Sequence, residues 1–439
     1  MKEVLLHYLW RIKTYNRIPL HTTTGEEVSV HQEGIYNEHD GPDFSNSRVR
    51  IGKMLWSGNV EMHVKSSDWL KHQHQFDPAY DNIILHVVYE EDIPIYRLNG
   101  DRIPCVELKG RIPNALTIRC QQLYQSKHWV PCQPQLPQVK DLVKQLWLQR
   151  LAAERLEAKT VRIRQWLEKT TWDWEGALYY FLAIGMGMKV NAGPFEQLAR
   201  SLPLILLQKH RSNTLQIEAL LFGQAGFLEI DFTESYPQQL QKEYQFLQHK
   251  YNLRPLKSSS WKFARLRPAN FPTIRIAQLA SLVTHRVHLF DKLLAASTVE
   301  EIENALEIKL SPYWYTHYRF DQTSIKRKKR LGRASIHLLI SNVIAPMIFL
   351  YGKHFGEDRH QEKALGLLEA LPAEQNSVIE QWKTLGMEAA SAFESQALLQ
   401  LKRYYCDQKR CLNCSIGHSI LKEEKQSELQ FELTRRPNQ

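Results

Sequence analysis

The pattern of apolar residues changes once along this chain, and that change limits the folds open to it. Between residues 26 and 110 the runs "EEVSVHQEGIY", "SRVRIG", "MLWSGNVEMHV", "NIILHVVYEED", "IPIYRL" and "PCVELKG" are short, rich in β-branched residues and broken by Gly, Asn and Pro, which predicts strands. A helix is predicted before them at "EVLLHYLWRIK" and another among them at "SSDWLKHQHQ", with Ser66, Ser67 or Asp68 as its cap. The predicted order is helix, three strands, helix, strand, then further strands. Pro-rich "VPCQPQLP" at 130–137 closes this region. Beyond it, segments such as "KDLVKQLWLQRLAAERLEAKTVRIRQWLEKT" and "WEGALYYFLAIGMGMK" carry helical spacing to about residue 404. We therefore expect an α/β domain with a mixed sheet over 1–130 and an all-α domain over 138–439, with a polar tail after Lys422 that frays.

Composition adds three constraints. Of 439 residues, 43% are hydrophobic, enough for sizeable cores and far from a disordered composition. A net charge of +10 favours a polyanionic partner, most simply nucleic acid. The first residues, "MKEVLLHYLWRIK", are interrupted by His7 and Arg11 and lack a small-residue cleavage site. The longest apolar stretch, 338–352, is too short to span a bilayer by itself. The expectation is a cytoplasmic protein without a membrane partner; protein partners are not legible.

Four reactive residue types converge in "HDGPDFSNSRVRIGKMLWSGNVEMHVKSSDW" (39–69). If "SRVRIGKMLWSGNVEMHVK" is a hairpin turning at Gly52-Lys53, Asp43 falls between Glu61 and His63 on the facing strand, and a bulge near Gly58 would shift it by one. Asn59, Glu61, His63 and Lys65 share one face; Val60, Met62 and Val64 share the other, which reads as the buried one. Two carboxylates suit a hard divalent cation that binds phosphate, and such a cation acidifies water and neutralises charge in phosphodiester cleavage. A duller reading makes Asp43 a turn residue and Glu61–Lys65 a ladder on a solvated face.

The pair "GPD" at 41–43 and "EMHVK" at 61–65 resembles the PD-(D/E)XK nuclease signature, and the predicted element order is similar to that fold. The resemblance implies a restriction-endonuclease-like core in which Asp43 and Glu61 bind Mg²⁺ or Mn²⁺. His63 stands where the motif has lysine, and Lys65, two residues on, is its substitute. It also implies an acidic residue from the first helix, which is Glu3, with Glu33 as a stand-in, and a following helix that lines the site with Lys71, His72 and His74. A second reading takes the histidines as zinc ligands. Against it, His72 and His74 lie two apart on a predicted helix and point in different directions, and His86 reads as a hydrogen-bonded core residue. Asp77 and Asp81 read as turn residues.

Near the C-terminus, "YYCDQKRCLNCSIGHSIL" gives Cys406-x4-Cys411-x2-Cys414-x3-His418. Three thiols and an imidazole can wrap a tetrahedral zinc. Three thiolates with a remote cysteine, Cys132 or Cys120, can instead hold an iron–sulfur cluster. The loop resembles the C-terminal cysteine loop of endonuclease III-type glycosylases, which implies a [4Fe–4S] cluster.

Charge gathers in "SIKRKKRLGRASIH", where Lys326, Arg327, Lys328, Lys329, Arg330 and Arg333 would supply salt-sensitive phosphate contacts. Arg265, Arg267 and Arg275 interleave with Phe263 and Phe271 in a pattern suited to tracking a nucleic-acid backbone. Over most of its length, through "HDGPDFSN", "GNVEMHVKSSDW", "AYDNIILHVVYE", "RLRPANFPTIRIAQLA" and "KRCLNCSIG", the chain is similar to an uncharacterised bacterial family recorded as a domain of unknown function. The leading expectation is a metal-dependent nuclease or nuclease-derived DNA-processing protein. Its alternatives are a non-catalytic nucleic-acid-binding protein with a structural metal site, and a hydrolase of small phosphorylated or acyl substrates.

Overall fold

The computed structural model of the chain describes residues 3–37 and 40–422. The tail predicted to fray lies outside the described residues. The protein is mixed α+β, with an N-terminal mixed sheet followed by a mostly helical part. It divides into two compact units, Met1–Gln145 with Lys402–Gln439, and Leu146–Leu401. The sequence-based boundary at 130–137 thus falls inside the first unit. The cysteine loop, expected to end the helical domain, belongs to the sheet-bearing one.

In the first unit, helix α1 (Glu3–Ile12) precedes strands β1 (Val28–Gln32), β2 (Ile35–Tyr36), β3 (Phe44–Ile51) and β4 (Met54–Lys65). A single helical turn, α2 (Asp68–Lys71), leads to β5 (Ile83–Glu90), β6 (Cys105–Glu107) and helix α3 (Asn114–Gln125). The sheet runs β1-β3-β4-β5-β6, with β2 also paired to β3. Pairs involving β3 are antiparallel, whereas β4–β5 and β5–β6 are parallel.

The hairpin turns where expected, at Gly52 with φ 56°, a left-handed conformation that glycine adopts freely. Ser47 pairs with Gly58 and Ile51 with Met54. A bulge then intervenes on β3, not at Gly58: Asn46 is left-handed (φ 57°) and Phe44 pairs with Val60. Asn tolerates that conformation better than most residues. The extra residue brings Asp43 level with Glu61.

Val60 and Met62 pack with Leu6, Trp10, Phe44, Leu85 and Val87 in one apolar cluster. Each such side chain stabilises the unit by about 1.5–3 kcal/mol on leaving water. The opposite face of β4, expected to be solvated, is also buried at Glu61 and His63, because the chain from α2 to β5 covers it. Trp69, Tyr80 and Ile83 form a smaller cluster there.

The second unit has one large apolar core, with Leu178, Phe222, Leu279, Trp314 and Ile348 among its members. It was expected to be all helical, yet His317–Arg319 and Gln322–Thr323 pair as a short hairpin around Asp321 (φ 54°). Residues Arg333–Phe355 form one continuous helix through a π turn at Ile340–Ile344. Its 23 residues are long and apolar enough to cross a bilayer by length and composition, unlike the shorter stretch read from sequence. In the fold, 61% of its most apolar window is buried inside the protein, as in a core helix.

Candidate metal centre

The bulged hairpin, α1 and the α2 turn bring acidic and imidazole groups together at one end of β4. The Asp43 carboxylate accepts from the Met62 N–H at 2.9 Å, and the Asp43 N–H donates to Glu61 Oε2 at 3.0 Å. Each bond ties one carboxylate to the backbone of the facing chain segment. Burial first, and then the neighbouring Asp43 charge, hold the Glu61 carboxyl far above its ordinary range.

From α1, His7 Nε2 lies 3.1 Å from Asp43 Oδ2 and 3.8 Å from Glu3 Oε1. Neither ring nitrogen of this buried histidine makes an aligned hydrogen bond. Burial raises the Glu3 carboxyl, against the pull of His7, and Asp43 adds to the rise. Glu3 is therefore the acidic group that reaches the cluster. Glu33 does not stand in for it: its carboxylate is 2.7 Å from Lys13 and 3.6 Å from Arg17.

His63 lies behind Glu61, with Nε2 at 3.9 Å from Glu61 Oε1. Its Nδ1 meets His86 Nε2 at 2.8 Å and its Nε2 meets His72 Nδ1 at 3.2 Å. His86 is fully buried, as its strand predicted, but its partner is the site rather than the core. Burial, reinforced by the other imidazoles, pushes His63 down to about 2 and His86 to about 3, so both rings are neutral at ordinary pH. Lys65 takes no part: it is exposed at the end of β4, where its charge acts on Glu90.

The predicted helix over 66–75 stops after one turn, since Gln73 turns left-handed (φ 61°). This corrects the divergence expected of His72 and His74. Ligand nitrogens of His63, His72 and His74 all lie within 4.8 Å of one another. His74 Nε2 also reaches to 3.4 Å from Glu61 Oε1, and its ring stacks on Tyr80 at 3.8 Å. Lys71 points elsewhere, into an ion pair with Asp68. Asp77 caps the turn before β5 through the Ala79 N–H at 2.9 Å, as predicted.

His7 was not singled out by sequence. The available signal was the spacing Glu3–His7, one helical turn apart on a largely apolar helix.

At the cysteine loop, Cys406, Cys411 and Cys414 are all buried. His418, expected to join them, instead points at α1: its Nδ1 is 2.8 Å from the Tyr8 hydroxyl. Among the basic residues, Lys326, Arg327, Lys328, Arg330, Arg265 and Arg267 are exposed. Lys329 is not available to phosphate. It is buried, its ammonium donates to the Trp314 carbonyl, and it lies 4.1 Å from the Tyr318 ring centre. Arg275 is also buried, donating to Asn270, Gln278 and Ser335.

Together these features define an α+β protein with a carboxylate–imidazole cluster at one end of the central strand of its sheet. The model of a family described as "Protein of unknown function (DUF2851)" matches residues 3–377. The chain belongs to that family, and the match spans the whole cluster. Searches of curated proteins and of solved structures returned no match.

Proposed function

We propose that the protein is a metal-dependent phosphodiesterase acting on nucleic acid, with a restriction-endonuclease-like core of the PD-(D/E)XK kind. The observation that carries this reading is the pairing of Asp43 and Glu61 across the bulged hairpin, with Glu3 and His7 of α1 closing on them. The order of an initial helix, an antiparallel β3–β4 pair and a parallel β5 agrees with it.

The donor set fits a divalent cation. Two mutually repelling carboxylates, neutral imidazoles and a buried His7 without hydrogen bonds are groups that a cation would satisfy. Asp43 and Glu61 would hold Mg²⁺ or Mn²⁺, which supplies Lewis acidity and an acidified water. The Met62 and Asp43 N–H groups fix the two carboxylates. His63, braced by His86, keeps Glu61 in place and, being neutral, cannot supply the positive charge of the lysine it replaces. Exposed Lys326, Arg327 and Lys328 supply phosphate affinity.

A second reading rests on the three histidines, whose clustered nitrogens suit zinc. One experiment separates the readings. Chelator-stripped protein is given labelled DNA or RNA with Mg²⁺, Mn²⁺ or Zn²⁺. The proposal expects cleavage with Mg²⁺ or Mn²⁺, lowered by about 10²-fold or more in Asp43→Asn and Glu61→Gln at unchanged melting temperature. Cleavage supported by zinc alone and lost in His72→Ala favours the second reading. Salt-sensitive binding without cleavage under any metal identifies a non-catalytic nucleic-acid-binding protein and overturns both.

A further inference from the structure

We infer that a cavity in the helical unit binds a small amphiphile, an apolar body that ends in a single carboxylate. The inference is independent of the carboxylate–imidazole cluster and of the activity proposed for it.

The cavity holds about 570 Å³, a size typical of small-molecule sites. All of its lining residues lie between Leu146 and Leu401. The helices Asp141–Lys169, Trp174–Met186 and Arg333–Phe355 wall it with Ile163, Phe181, Met186, Leu339 and Val343. Two of these helices meet closely, since a Cβ on Gly185 would lie 2.5 Å from Leu339 Cδ2. The helix Pro272–His285 adds Arg275 to the lining.

Every charged side chain among the described lining residues is a cation: Lys159, Arg162, Lys189 and Arg275. They are not equivalent. Arg162 is paired with Glu196 at 2.7 Å, and Lys189 is exposed. The Lys159 ammonium donates to the Ser341 carbonyl at 3.0 Å and to Asn342 Oδ1 at 2.9 Å. Burial, and then the neighbouring Arg155, lower it below the usual lysine range. Arg275 is 3% exposed, and its acceptors are all neutral: Asn270 Oδ1 at 2.7 Å, Ser335 Oγ at 2.8 Å and Gln278 Oε1 at 3.0 Å. Its Nε has no acceptor among the described residues. Burial lowers the guanidinium to about 10, so Arg275 stays charged at ordinary pH.

Enclosing a charge without an opposite one is costly. A carboxylate in the cavity offsets that cost, and an apolar chain behind it covers the walls. One permanent buried charge matches a monoanion better than a phosphate ester, which carries nearly two negative charges at neutral pH. The local backbone is unusual on two sides of the cavity. Met188, 38% exposed where the cavity meets solvent, is left-handed (φ 52°), and its sulfur lies 3.9 Å from Arg275 Nη2. Such strain in a non-glycine residue gathers at ligand sites, and methionine adapts to varied apolar shapes. The π turn at Ile340–Ile344 supplies Asn342 and Val343 to the wall, and π turns recur at functional sites.

The test is calorimetric titration of the full chain with dodecanoate, dodecanol and dodecyl phosphate, each below its micellar concentration. We expect one dodecanoate per chain, with dodecanol weaker by about tenfold or more and dodecyl phosphate weaker as well. Arg275→Gln should weaken dodecanoate by about tenfold or more. Ala158→Trp, a bulky ring at an exposed lining position, should do the same with every charge intact. Absence of dodecanoate binding overturns the inference. So does equal or tighter binding of dodecanol or dodecyl phosphate, and so does unchanged dodecanoate affinity in either folded variant. Should Arg275→Gln fail to fold, Ala158→Trp decides alone.

Discussion

His7 is held where its imidazole has carboxylates nearby but no aligned hydrogen bond. An unsatisfied buried polar group costs about 1–3 kcal/mol. Tyr36 and Phe44 flank the ring at 5.7 and 6.2 Å, so a phenyl ring would be well received. We predict that His7→Phe stabilises chelator-treated protein by about 1 kcal/mol in urea denaturation while weakening divalent-cation affinity by about tenfold or more in calorimetric titration. Asp92 offers a pH test away from the cluster. Burial works against its charge, but the Ser67 N–H and the hydroxyls of Ser67 and Ser66 outweigh that effect and hold the carboxyl at about 2, below its usual 3.8. A depressed carboxyl contributes stability that is complete above the unfolded value and lost as pH falls through the folded one. The stability gap between the wild type and Asp92→Asn should therefore be present at pH 6 and shrink as the pH falls from about 4 toward 2. A gap that widens on acidification would refute the assignment. Asp92 is exposed, so the effect is modest.

At the level of elements, the site depends on how closely β4 and β5 approach. A Cβ on Gly58 would lie 2.4 Å from Ile84 Cγ2 and 2.7 Å from the Asn82 carbonyl. Gly58→Ala should destabilise the protein by about 1–3 kcal/mol in urea denaturation. Gly366→Ala, within the helix Asp358–Ala370 and with nothing within 4 Å of the new methyl, should instead stabilise it by about 0.5–1 kcal/mol. Sequence reasoning read the local part of this region well. The alternation through 54–65 gave β4 and the turn at Gly52 gave the hairpin, which placed Asp43 between Glu61 and His63; the bulge at Asn46 moves it level with Glu61. It missed the side of the hairpin that bulges, because Asn46 in "SNS" carries no stronger turn signal than Gly58 does. It overextended α2, because nothing in "KHQHQ" marks Gln73 as left-handed. The contribution of His7 is non-local: it reaches the cluster through the packing of α1 on the sheet, which no periodicity encodes.

For the whole molecule, charge is the property that sequence overcounted. The run at 326–330 reads as five equivalent cations, but Lys329 is enclosed beneath Trp314 and Tyr318. If the protein binds duplex DNA through this run, replacing Lys326, Arg327 and Lys328 with Gln should reduce the slope of log affinity against log salt by about 0.9 for each phosphate no longer neutralised. Lys329→Gln should leave that slope unchanged and lower the melting temperature instead. The division of the chain has a different consequence. The sheet-bearing unit is interrupted after Gln145 and resumes only at Lys402. During synthesis the helical unit is therefore fully extruded before the segment that completes its neighbour, and nascent chains spend most of translation with the first-made unit unfinished and dependent on residues the ribosome has yet to add.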